Sequence, residues 1–137
     1  MKYGILTFIL LITLAACRKE EGVGGDASIK GQLWTYAVNS SFAGTIADTA
    51  QAYAQYAAED TYVYIVYGDH SGFDKRIKTD YNGYFEFSFL YPGDYTIYAY
   101  SFDPLEIDTQ SPVIKKVHIE ERKESIDLGR IGILSQP

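Results

Sequence analysis

The chain has 137 residues, 47% of them hydrophobic, with 12 Lys and Arg against 18 Asp and Glu for a net charge of -6. That is the size of one domain with one core. The acidic balance excludes a nucleic-acid surface, which concentrates Lys and Arg on one face to displace counterions, and a single cysteine excludes a disulfide framework.

The first segment, residues 1–16, carries Lys2 as its only charge, then an apolar run from Ile5 to Ala16 interrupted by Thr7 and Thr13. A bilayer core about 30 Å thick takes roughly 20 residues to cross, so this shorter run reads as a secretory signal rather than a span. It ends on the one cysteine. Leu14-Ala15-Ala16-Cys17 resembles, at all four positions, the lipobox of bacterial lipoproteins. The resemblance implies cleavage before Cys17 and a diacylglycerol thioether on its sulfur, with fatty acyl chains such as palmitate. One chain binds membranes marginally and a second makes anchoring stable, so the expectation is a protein anchored to the outer membrane and not spanning it. The residues Lys19-Glu20-Glu21 that follow resemble the signal that sends lipoproteins of Gram-negative bacteria to the cell surface, which implies an exposed outer face.

Residues 18–27, RKEEGVGGDA, are charged and Gly-rich, and with Cys17 they are expected to form a flexible tether at 17–27, with the folded domain occupying 28–137. Alternation of apolar residues at every second position then predicts strands at 28–36, 61–67, 75–79, 84–89, 95–101, 112–119 and 124–134. The exception is 43–58, AGTIADTAQAYAQYAA, whose Ala-rich, Pro-free composition permits a short helix from Asp48 to Ala58 with Asp48 as N-cap. Asp80-Tyr81-Asn82-Gly83 reads as a turn of residues that tolerate positive φ or bond their own backbone. Pro92-Gly93 fits the centre of a type II turn, and so short a link predicts that the strands flanking it are neighbours.

About seven short strands at this spacing predict an all-β protein, an antiparallel Greek-key β-sandwich. The strings IKGQL, TYVYIVYG and TDYNGYFEFSFLYPGDYTIYAYS resemble the carboxypeptidase regulatory-domain-like family, a transthyretin-like (prealbumin-like) sandwich. Thr79, Asp80, Gly83, Phe85, Phe87, Leu90, Pro92, Gly93 and Tyr95 match its T-D-x-x-G-x-F-x-F and L-x-P-G-x-Y pattern. The resemblance implies a fold and no particular activity, because this scaffold carries many functions.

Catalytic readings find little support. His118 and Glu121 form an H-x-x-E pair, but residues three apart on a strand point to opposite faces, and no His follows to complete a zinc site. A calcium loop starting at Asp80 would need oxygen ligands where Tyr84 and Tyr91 stand. There is no G-x-S-x-G elbow. The expectation is therefore a protein that is not an enzyme, with no cofactor and no metal.

Binding is better supported. Alternation assigns Phe85, Phe87 and Phe89 to the inner face of their strand, with Tyr95 and Ile97 on the inner face of the next. Tyr62, Tyr64, Tyr84, Tyr98 and Tyr100 are left outward as a candidate binding face. Tyrosine pairs flat apolar area with a polar tip, which suits protein interfaces and sugar stacking. Two readings follow: an accessory module docking on another envelope protein, or a carbohydrate-binding module assisting glycan capture.

Overall fold

The computed structural model describes residues 20–37, 55–103 and 109–135. They form eight strands: β1 (Val23–Ala37), β2 (Gln55–Ala57), β3 (Tyr62–Tyr67), β4 (Lys75–Lys78), β5 (Tyr84–Leu90), β6 (Gly93–Phe102), β7 (Gln110–Ile119) and β8 (Ser125–Ser135). Two four-stranded sheets result, and no described residue is helical. In the first, the long β1 is central, with β8 along one side and β5 followed by β2 along the other; the second has the order β4-β3-β6-β7. The all-β sandwich expected from alternation is present. Every pairing is antiparallel except that of β1 with β8, which is parallel.

The core lies between the inner faces. Ile29, Leu33, Phe85, Phe87 and Leu90 from the first sheet meet Val63, Ile65, Tyr95, Ile97 and Ile119 from the second, all almost wholly buried. Removing this apolar area from water, at about 25 cal/mol per Å2, is the main driving force for the fold.

Four expectations are corrected. The folded body does not wait until Ser28: β1 starts at Val23, Ala27 is fully buried, and Gly22 is already bonded into the sandwich. Gly24 and Gly25 are glycines because the chain here packs close to Leu90 and Tyr91, where a Cβ would collide. In the segment expected to include a helix, residues 55–57 are strand β2 and Ala58 is a buried, non-helical residue, while 43–54 lie outside the described residues. β5 stops at Tyr84, opposite Gln32, and β2 takes over the exposed β1 backbone from Trp34 to Tyr36. Such a run of unpaired donors and acceptors needs partners.

The third correction concerns Phe89. It stands at φ 64° and is 71% exposed, while Leu90 beside it is buried. Opposite this point β1 carries a bulge between Val23 and Ala27. A residue out of the extended conformation breaks the period of two, so the inward position passes from Phe89 to Leu90. Fourth, β5 and β6 are not neighbours. β5 pairs with β1, and β6 pairs with β3 and β7, so Tyr91-Pro92 carries the chain from one sheet to the other. Gly93 opens β6 at φ 148°, where a Cβ would run into the Glu21 side chain. Glycine is favoured there by this backbone conformation together with the close approach of Glu21, and not by a type II turn.

The turn at Asp80 is as expected. Its Oδ1 accepts the amides of Asn82 (2.9 Å) and Tyr84 (2.8 Å), and the Gly83 amide donates to the Asp80 carbonyl at 2.9 Å. Gly83 has φ 79°, and a Cβ there would strike the Leu33 carbonyl oxygen, which accepts the Ala58 amide. Gly83→Ala is therefore expected to destabilise the fold by more than about 2 kcal/mol, combining left-handed strain with displacement of a sheet hydrogen bond. A urea titration of the two proteins measures this.

Candidate functional site

The outer face of β4-β3-β6-β7 is set by strand alternation. Once Val63 and Ile65 face the core, Tyr62 and Tyr64 must face out, and burial of Ile97 and Ala99 turns Tyr98 and Tyr100 outward in the same way. Register then places Tyr64 opposite Tyr98 on one side and opposite Arg76 on the other, with Tyr62 opposite Lys78 and Tyr98 opposite Ile114. Four of the five candidate tyrosines are thus brought together.

Their rings contact one another. Tyr64 and Tyr98 stack with centroids 4.9 Å apart and planes 8° from parallel. Tyr100 sets its ring edgewise to both, at 5.5 and 5.6 Å, and Phe73 from the β3-β4 loop meets Tyr64 at 5.1 Å and 70°. Such pairs contribute about 0.5–1.5 kcal/mol each beyond their buried area. The Arg76 guanidinium lies 4.4 Å over the Tyr62 ring, and the Lys78 ammonium 5.1 Å from the same ring. Burial and the adjoining Tyr100 push the Tyr98 hydroxyl above its ordinary range, so it stays a neutral donor at physiological pH.

What the face offers to solvent differs from a row of open ring planes. Tyr64 and Tyr98 turn one face each to the other, and the Arg76 guanidinium lies over one face of Tyr62. Left accessible are Tyr62, Phe73, Tyr100 and Ile114 at 38, 49, 42 and 53% exposure. Cations flank this apolar centre: Arg76 and Lys78 on β4, and Lys116 on β7, opposite Thr96. The sequence reading missed Phe73, Arg76, Lys78 and Ile114. Arg76 and Lys78 could have been found, since Ile77 between them had to point inward; Phe73 sits in a loop with no periodicity to assign it.

Tyr84 does not belong to the group. It lies on β5 in the other sheet, 54% exposed, beside a shallow depression lined by Lys30, Gln32, Asp127 and Arg130. The crossing at Tyr91-Pro92 is what separates it from Tyr98 and Tyr100. At the end of the sandwich away from residue 22, Tyr100 also borders a cleft of about 680 Å3, whose described lining includes Tyr56, Glu59, Phe102 and Gln110. Leu14, Ala15, Ala16, Cys17 and Lys19 lie outside the described residues. Glu20 is exposed, and the Glu21 side chain packs against Gly68 and Gly93.

The histidines pair with aspartates. His118 Nδ1 is 2.7 Å from Asp94 Oδ1 across the β6-β7 ladder, so its partner is not Glu121. His70 Nδ1 is 2.7 Å from Asp74, whose other oxygen accepts the Tyr67 amide. Among the described residues no three His, Cys, Asp or Glu side chains stand together as metal ligands. The hydrogen bond to Asp94 raises the His118 pKa above its ordinary 6.5, although the ring is exposed. A raised folded-state value means that the pair's contribution is full below pH 6.5 and is lost as pH rises through the folded value. A proton NMR titration is expected to place the His118 midpoint above 6.5, and Asp94→Asn to return it towards that value.

No protein-family model matches the chain, and no curated protein matches it. Among solved structures, a protein from Pseudomonas aeruginosa, provisionally described as a carbohydrate binding protein, is similar at 16% identity and a TM-score of 0.47, covering 89% of this chain and 94% of its own. That likeness brings no ligand to this chain.

Proposed function

We propose that this chain is a non-catalytic lipoprotein of the outer membrane, displayed at the cell surface, whose β4-β3-β6-β7 face docks on another envelope protein. The observation that carries the docking reading is the arrangement of the rings. Sugars stack on open aromatic planes, and here Tyr64 and Tyr98 are stacked on each other and a guanidinium lies over Tyr62. A contiguous, partly exposed aromatic centre with a charged rim is instead the anatomy of a protein interface.

The lipobox at Leu14-Cys17 and the following Lys19-Glu20-Glu21 support anchoring and export. The pattern residues Thr79, Asp80 and Gly83 at the turn, and Phe85, Phe87, Leu90 and Tyr95 in the core, support the transthyretin-like, carboxypeptidase regulatory-domain-like resemblance. The carbohydrate reading has one observation in its favour, the end cleft, where Tyr56 and Tyr100 stand with Glu59 and Gln110.

The test is cross-linking in native membranes followed by detergent purification, with the wild type and Tyr98→Ala side by side. A stoichiometric partner captured by the wild type and lost in the variant is the expected result. Retardation of the wild type in a polysaccharide gel, abolished by Tyr98→Ala, would overturn docking in favour of glycan binding. Anchoring is checked by metabolic labelling with an acyl analogue, and display by protease treatment of intact cells.

A further inference from the structure

The sandwich holds its own N-terminal entry unusually tightly. The Gly22 amide donates to the Tyr95 hydroxyl (3.1 Å), that hydroxyl donates to the Tyr91 carbonyl (2.7 Å), and the Tyr91 amide donates to the Gly22 carbonyl (2.9 Å). Tyr95 is 2% exposed, so this knot is part of the core. Glu21 packs on Gly68 and Gly93 at the same place. The body therefore starts at Glu21, four residues after Cys17. Four extended residues reach about 14 Å, whereas ten-residue β6 alone runs about 33 Å.

We infer that the end of the sandwich carrying Glu21, the β3-β4 loop and the Tyr91-Pro92 link is a lipid-facing end, and that the domain stands upright on the membrane, with Phe89 and Val23 touching the headgroup layer. This inference rests on the lipid anchor at Cys17 proposed above. Phe89 and Val23 flank Leu90 at that end, 71 and 56% exposed. Phe89 takes up the left-handed φ of 64° that aims it away from the core, an arrangement which costs a non-glycine residue free energy. Apolar side chains such as Phe insert at the boundary between headgroups and acyl chains. The carboxylates of Glu21, Asp69 and Asp94 and the charged β7-β8 turn at 120–124 surround the same end and keep it wetted, leaving Phe89 and Val23 as its exposed apolar side chains. An upright body turns its tyrosine face sideways, along the membrane, where a membrane-embedded partner can meet it.

The full chain, made through its own leader and purified with its lipid, would be placed in phosphatidylcholine vesicles containing a headgroup-bound quencher. Fluorophores go on single cysteines introduced at Gly72 in the β3-β4 loop, at Tyr81 in the turn at the opposite end, and at Ile114 on the tyrosine face. Quenching is expected to be several-fold stronger at Gly72 than at Tyr81 or Ile114, and to weaken at Gly72 in a Phe89→Ser background. Equal quenching at Gly72 and Tyr81 would overturn the upright stance. Strongest quenching at Ile114 would mean a body lying on its tyrosine face, and no response to Phe89→Ser would remove Phe89 from the contact. Failure of the anchor is separately visible: the protein would not float with the vesicles, and Cys17 would react with a maleimide.

Discussion

Replacing Phe87 by alanine is expected to lower the unfolding free energy by about 3–5 kcal/mol, seen as a drop in the urea midpoint with an unchanged slope. Phe87 is 1% exposed, sits opposite Ile29 in the ladder and packs edgewise on Phe85 at 6.2 Å. Truncation there forfeits the burial of a whole ring and leaves a cavity between the sheets. The same change two residues on is expected to do little. Phe89→Ala removes a ring already in solvent, an effect of about 0.5 kcal/mol or less. Phe89→Gly should be neutral or stabilising, because glycine takes the φ of 64° without strain. If Phe89→Ala were as damaging as Phe87→Ala, the bulge would be misplaced and Phe89 would be a core residue.

That contrast also marks how far the sequence could be read. Alternation located seven of the eight strands and assigned Phe85, Phe87, Tyr95 and Ile97 to the core, because a half-buried strand writes its burial into every second residue. It failed at Phe89, where one residue out of the extended conformation, opposite a bulge in β1, reverses the parity and no residue type announces it. It failed again at Tyr91-Pro92, since a two-residue link reads alike whether it closes a hairpin or crosses between sheets. The second failure misplaced Tyr84, whose outward direction was read correctly but whose sheet was not. β2 escaped notice because three residues carry no period; its existence follows from the unpaired edge of β1, a fact of the assembled sheet. The start of the fold was set too late for a similar reason. The Gly-rich run at residues 22–25 looks like linker until Tyr91 and Leu90 are placed against it.

For the docking face, the expected outcome is a loss of at least about 2 kcal/mol in partner binding, roughly 30-fold in Kd, on Tyr98→Ala, with the fold retained. Tyr98 is the joint of the cluster: it stacks on Tyr64, meets Tyr100 edgewise and stands opposite Ile114. Removing it lets three neighbours reorient, so the loss at the interface exceeds the area of one ring. Within the fold the same change forfeits cross-strand pairs of about 0.2–1 kcal/mol each, which a core of this size withstands. Tyr98→Phe separates the two properties of the side chain. It keeps the stack and drops the hydroxyl, so near-wild-type binding would assign the effect to packing, and a loss as large as that of alanine would assign it to a hydrogen bond with the partner. Arg76→Ala supplies the electrostatic comparison, because a rim cation acts mainly on association rate and salt dependence. Binding that ignores Tyr98→Ala but collapses in salt and with Arg76→Ala would mean that the cations hold the partner and the tyrosines only brace the sheet.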